Sequence, residues 1–162
     1  MLSELCVAAV QLTSTTDVRA NMDRAVHWAG KAVSLGATFV TLPENYGFLG
    51  LERDKLAYAQ TVEDGPFISP LREFCRHHGV FLLAGSIPER GPDSDHTYNT
   101  SVLIDREGSI AACYRKIHLF DVRLADGFSI RESDSVTPGK DLVEGDVYGW
   151  RVGLSVCYDL RF

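Results

Sequence analysis

Three reactive side chains follow apolar, strand-like runs in this chain. Glu44 comes after Ala37 to Leu42 and Pro43, Lys116 after Ser109 to Tyr114, and Cys157 after Trp150 to Val156, in which Arg151 is the one charge. The ends of strands in α/β sheets are where ligands and catalytic groups gather. If these strands are neighbours, a base, a cation and a nucleophile meet in one cleft. A free thiol has a pKa near ~8.5 and is mostly protonated at neutral pH. A carboxylate can take its proton and an ammonium can hold an oxyanion, which together suit acyl transfer through a thioester. Taken singly, each residue has a plainer reading: a solvated turn acid, a surface charge beside Arg115, a buried structural cysteine.

The elements that must position the trio follow from periodicity. Leu5 to Leu12 reads as a buried strand. Asp17 to Leu35 reads as a helix, with Val18, Met22, Ala25, Ala29 and Val33 at helical spacing and Gly36 as the stop. Ala37 to Leu42 is a short buried strand, and Leu51 to Gln60 a short helix. Ser69-Pro70 opens another helix, serine as cap and proline in the first turn, that turns Leu71, Phe74 and Cys75 inward and ends at Gly79. Val80 to Ile87 is a strand and Glu89 to Thr97 a polar loop. Tyr98 to Ile104 and Ser109 to Tyr114 form a hairpin around Asp105-Arg106-Glu107-Gly108. Lys116 to Lys140 has little regular pattern, and a loop of that length in a compact domain is often functional. Leu142 to Tyr148 and Trp150 to Val156 form a last hairpin turning at Gly149. The order predicts an α/β fold with a mixed sheet.

Composition narrows the function classes. The 162 residues suit one domain with a sizeable core, and 45% hydrophobic with 23% charged residues is the balance of a folded protein. A net charge of −6 argues against a phosphate-neutralising nucleic-acid surface. No apolar stretch approaches the ~20 residues of a membrane span. Met1-Leu2-Ser3-Glu4 lacks the basic start of a signal peptide, so a cytoplasmic location is expected. Cys6, Cys75, Cys113 and Cys157 are too widely spaced for a zinc site or a compact disulfide framework, and are expected as thiols.

Local sequence sharpens the trio. Val40-Thr41-Leu42-Pro43-Glu44-Asn45, Tyr114-Arg115-Lys116-Ile117-His118-Leu119-Phe120-Asp121 and Gly153-Leu154-Ser155-Val156-Cys157-Tyr158-Asp159-Leu160-Arg161-Phe162 resemble the three signature stretches of the nitrilase superfamily of carbon–nitrogen hydrolases. The second and third look most like its Nit-type amidase branch. Val7-Ala8-Ala9-Val10-Gln11-Leu12 and Asn99-Thr100-Ser101 also fit, so the resemblance runs from Leu5 to Phe162.

The resemblance implies a nitrilase-type α-β-β-α sandwich with mixed sheets, incomplete at the C-terminus because family members continue well past the cysteine motif. Residues 1–162 would be the N-terminal part of a single domain. It implies a Glu–Lys–Cys triad: Glu44 as general base, Lys116 as oxyanion stabiliser, Cys157 as nucleophile, with the Tyr158 backbone N–H as a second oxyanion donor. Glu132, ahead of Pro138-Gly139, matches the family's second glutamate and would orient the substrate or the lysine. Asp159 and Arg161 would brace the turn after the nucleophile, paired with each other. The implied reaction is hydrolysis of a small linear amide, an omega-amide or a deaminated glutathione-like compound, with no metal and no organic cofactor. Arg123 or Arg131 would meet an anionic substrate. The expected partners are the small-molecule amide and a second copy in a homodimer or a complementing C-terminal chain, with no nucleic acid and no membrane. The alternative is an inactive fragment or association module of a truncated or split family member. A Cys–His enzyme using His118 is the nearest catalytic rival; the plainer reading of His118 is a structural anchor for the loop.

Overall fold

In the computed structural model, which describes residues 4–125 and 127–162, a five-stranded mixed sheet carries the molecule. The signal-peptide reading of Met1 to Ser3 lies outside the described residues. The strands are β1 (Val7–Ala9), β2 (Phe39–Thr41), β3 (Phe81–Arg90), β4 (Thr97–Ile104) and β5 (Ile110–Arg115), paired in that order. β1, β2 and β3 run parallel; β3–β4 and β4–β5 are antiparallel.

Alternation along the strands sends side chains to two different cores. Val40, Leu82, Val102 and Ile104 face the helices α1 (Val18–Ser34) and α2 (Ser69–His78), where they meet Met22, Ala25, Ala29, Leu71, Phe74 and Cys75. Phe39, Phe81, Leu103 and Tyr114 face the other way, onto Val147, Leu154 and Val156. That second layer is a hairpin of β8 (Glu144–Val147) and β9 (Trp150–Gly153). Among the described residues the layers are therefore helices, sheet, hairpin. The turn Tyr148-Gly149 takes positive φ at both residues, 55° and 88°, as a tight right-twisted hairpin requires.

Several expectations need adjusting. The first strand is three residues long, because it is an edge strand whose residues stay largely exposed. Cys6 precedes it and is exposed rather than buried. Asp17 caps α1 by accepting the Ala20 N–H at 3.0 Å. Ser69 does not cap α2: its hydroxyl accepts the Gly65 N–H and donates to Asp64, while Pro70 still occupies the first turn. β3 runs on to Arg90, through a segment read as loop, because antiparallel pairing with Thr97 to Thr100 satisfies its backbone. Lys116 to Lys140 contains a small hairpin, β6 (Asp121–Arg123) with β7 (Ser129–Arg131), and a 3-10 turn at Glu132–Asp134. All four cysteines are free thiols, and no helix of the described residues is long and apolar enough to cross a membrane.

Candidate active site

Glu44, Asn99, Lys116 and Glu132 come together at one end of the sheet, on its hairpin-covered side. Lys116 is the first residue beyond β5 and keeps the facing of Tyr114, two residues before it. Asn99 sits opposite on β4, and its carbonyl accepts the Lys116 N–H at 2.9 Å. Glu44 lies three residues past β2, in a loop pinned from beneath. There β3 bulges between Ala84 and Ile87. A side chain at Gly85 would collide with the carbonyl oxygens of Leu42 and Pro43, so only glycine lets the loop approach. Ser86 accepts the Asn45 N–H at 3.1 Å, with Asn45 at φ 56°. Glu132 arrives from the 3-10 turn, which Asp121 holds by accepting the Ser133 N–H and hydroxyl at 3.0 and 2.6 Å.

The cluster is a closed set of charge-assisted hydrogen bonds. Lys116 Nζ lies 3.0 Å from Glu44 Oε1 and 2.9 Å from Glu132 Oε2. Asn99 Nδ2 donates to Glu44 Oε1 at 2.8 Å and to Glu132 Oε1 at 3.0 Å. The Phe120 N–H donates to Glu132 Oε2 at 2.7 Å. The lysine side chain is 2% exposed and that of Glu132 7%. Burial by itself pushes the lysine pKa down, but the hydrogen bond to Glu132 and the two carboxylate charges outweigh it, and the net shift is upward. Burial pushes Glu132 up, yet Lys116, the Phe120 N–H and Asn99 together bring it below its ordinary value. The lysine is thus an ammonium and Glu132 a carboxylate.

Cys157 does not stand at a strand tip. β9 ends at Gly153, Leu154 and Val156 turn into the core, and Cys157 opens a 3-10 turn, Cys157–Arg161, at φ 49°. Left-handed backbone costs a non-glycine residue on the order of 1 kcal/mol. Asp159 holds it there. Its carboxylate accepts the Val156 N–H at 2.9 Å, the Tyr114 hydroxyl at 2.7 Å and the His118 N–H at 2.8 Å, and it contacts His118 Nδ1 at 2.9 Å. The braces of Asp159 are therefore Tyr114 and His118; among the described residues it forms no ion pair with Arg161, because its lone pairs are already filled. The His118 ring also stacks on Phe162, centroids 4.0 Å apart. It is oriented by Asp159, as an anchor would be. Tyr158 lies in the first turn of this segment, where backbone N–H groups lack helical acceptors. Arg131 pairs with Asp134 at 3.2 Å, and neither Arg123 nor Arg131 bonds to the cluster among the described residues.

The thiol feels the cluster electrostatically. Burial raises the Cys157 pKa, Glu44 raises it further, Lys116 opposes, and the net shift is upward. Its charged neighbours are the residues the sequence singled out.

A carbon-nitrogen hydrolase family profile matches residues 6–162. The chain belongs to the carbon–nitrogen hydrolase family. It is 37% identical to a deaminated glutathione amidase of Synechocystis over 159 residues, 96% of this chain and 58% of that protein. Among solved structures it resembles the Caenorhabditis elegans NitFhit protein, with a TM-score of 0.86, 31% identity, and coverage of 96% of this chain and 38% of that one. It also resembles a variant of the Nesterenkonia amidase, with a TM-score of 0.80, 26% identity and coverage of 98% and 59%, which carries acrylamide added at its active-site cysteine. The chain spans 34% to 58% of the length of the curated relatives it matches first.

The protonation state of Cys157 bears on its reactivity. A thiol with a raised pKa is not a preformed thiolate, in contrast to a cysteine paired with an imidazolium. Modification of Cys157 by methyl methanethiosulfonate should therefore climb continuously from pH 6 to pH 9, with no plateau on the acid side. Peptide mass mapping in a Cys6→Ser background checks this, since Cys6 is exposed, whereas burial first pushes Cys75 to about 12 and Cys113 to about 11. A flat rate below pH 7 would contradict it.

Two contributors were missed in the sequence. In the sequence Asn99 stands out only within a matching stretch, although an asparagine three residues before the buried run Val102-Leu103-Ile104 is a signal of its own. The joint hold of Tyr114 and His118 on Asp159 depends on a contact across 41 to 45 residues that no local pattern carries.

Proposed function

We propose that this chain supplies the reacting groups of an amidase that cleaves the C–N bond of a small linear amide through a cysteine thioester. The observation that carries the reading is Lys116, a buried ammonium held between Glu44 and Glu132 beside the Cys157 thiol. The name of the Synechocystis relative favours a deaminated glutathione-like amide, and the Nit-type motifs extend the reading to omega-amides of dicarboxylic acids.

In the first half-reaction Glu44 takes the thiol proton as Sγ bonds to the amide carbon. The carbonyl π pair moves onto oxygen, where the Lys116 ammonium and the Tyr158 N–H receive it. The oxyanion collapses, the C–N bond breaks, and the departing nitrogen takes the proton from Glu44. A thioester and ammonia or an amine result. In the second half Glu44 takes a proton from water as its oxygen attacks the thioester. The C–S bond breaks and the sulfur recovers the proton, leaving a carboxylic acid that ionises in water. Glu132 holds Lys116 in line, and its own ionised state keeps the lysine charged. No step requires a metal or an organic cofactor.

The test is ammonia release from omega-amides by the purified chain, with the acyl adduct on Cys157 followed by intact mass. Release above the uncatalysed rate together with the adduct supports the reading; neither signal counts against it. A second reading, an association module without turnover, is favoured by the exposure of Cys157, Leu160 and Phe162 around the nucleophile turn. Adduct formation without ammonia turnover in excess of one equivalent identifies that case.

His118→Ala separates this scheme from a Cys–His mechanism. The ring serves Asp159 and Phe162, so its loss should cost less than about tenfold in kcat/KM, whereas a general acid–base histidine would cost roughly 10²- to 10⁴-fold. Steady-state rates for this single variant decide between them.

A further inference from the structure

Glu44 receives one neutral and one charged donor on the same oxygen. Lys116 Nζ reaches Oε1 at 3.0 Å and Asn99 Nδ2 reaches it at 2.8 Å. Asn99 Nδ2 also binds Glu132 Oε1 at 3.0 Å, so one amide nitrogen spends both of its hydrogens on two carboxylates. The orientation of the amide is fixed by this pairing, because both partners only accept. The other end of the amide is unrewarded: Asn99 Oδ1 is buried and has no hydrogen-bond partner among the described residues. An unpartnered buried carbonyl is costly. An asparagine kept there at that cost is kept for its donors.

Resting on the amidase reading, we propose that Asn99 is a positioning residue that sets the base, tying Glu44 Oε1 to Glu132 Oε1 so that Oε2 of Glu44 is the oxygen that meets the Cys157 proton. Lys116 alone could not do this. Two carboxylates around one ammonium repel each other, and although the Phe120 N–H fixes Glu132, Glu44 could rotate to offer the lysine either oxygen. A second, uncharged bridge removes that freedom without adding charge. It also leaves the ammonium free to turn toward the substrate oxyanion, while the carboxylates stay where the amide holds them.

Two variants test this. Asn99→Leu keeps the branched, four-atom side chain and deletes both donors. It should lower kcat on the order of 10²-fold with KM changed less than about threefold, the signature of a misplaced reacting group. Asn99→Asp keeps the shape and puts a third carboxylate beside Glu44 and Glu132. The added negative charge makes the Cys157 thiol harder to ionise, so the acid limb of the pH–kcat/KM profile should move up by about one unit or more. The rate profile of Cys157 modification by methyl methanethiosulfonate, in the Cys6→Ser background, should move the same way. A merely structural asparagine would lower the melting temperature of Asn99→Leu without the selective loss of kcat.

The labelling measurement needs no amide turnover, which keeps the two ideas separable. If Cys157→Ala hydrolyses amides as well as its parent, the amidase reading falls, while a shifted labelling profile in Asn99→Asp still upholds the electrostatic contact. If Cys157→Ala is dead but both Asn99 variants keep the parent's kcat and both pH profiles, the inference about Asn99 is overturned and the amidase reading stands.

Discussion

Cys157→Ala should abolish amide hydrolysis, by roughly 10⁴- to 10⁶-fold in kcat, because a methyl group cannot form the thioester and water has no equivalent position in the first half-reaction. The acyl adduct should vanish with the activity. The fold should be indifferent to the change. Cys157 is exposed, and alanine pays no more than cysteine for φ 49°. Asp159 takes its hydrogen bonds from Val156, Tyr114 and His118, none of which is altered. A melting temperature within a degree or two of the parent, next to absent ammonia release, is the expected pair of results. Full turnover in this variant would remove the nucleophile from the scheme.

Lys116→Met should damage both activity and stability, and should reverse how stability depends on pH. Removing one partner of a buried charge pair typically costs about 3–5 kcal/mol, because the other charge is left without compensation. In the parent, Glu132 is held below its ordinary pKa, so its contribution is present above the unfolded value and is lost as pH falls through the folded one. Lys116 is held above its ordinary value, so its contribution is full below the unfolded pKa and fades as pH rises through the folded one. Without the ammonium, burial and the Glu44 carboxylate should outweigh the remaining bonds from the Phe120 N–H and Asn99 and raise the Glu132 pKa. The variant should then grow more stable as pH falls from 8 to 5, while the parent does not. Denaturant midpoints at those two pH values read the sign directly. Activity should fall at least about 10³-fold, since the oxyanion loses its cation. A Lys116→Met chain with the parent's midpoint at both pH values would show that the cluster is not electrostatically coupled.

The charged cluster was legible because its members carry motif-length sequence around them. Lys116 sits in an eight-residue match and Glu44 follows a proline that ends a strand. The helices were legible from spacing: Met22, Ala25 and Ala29 are buried as predicted, and the serine–proline start of α2 is at the predicted place though not with the predicted cap. The mixed sheet and the closing hairpin followed from the apolar runs. The local path to Cys157 was harder to read. Leu154 and Val156 look like a strand because they alternate into the core, yet the ladder stops at Gly153, since hydrogen bonds to Asp159 replace strand pairing. The small hairpin within Lys116 to Lys140 was hidden because its strands are three residues each and mostly exposed, so burial imposes no alternation. Asn99 was under-read for the opposite reason. Its importance lies in two contacts, 55 and 33 residues away in sequence, which only the closed sheet creates.

The upward shift of the Cys157 thiol has a consequence for the lifetime of the protein. Peroxide attacks thiolates, and a thiol held protonated offers peroxide little to attack. Exposure alone would mark this sulfur for sulfenic acid formation. Burial first, and then the neighbouring carboxylates, should instead slow its oxidation.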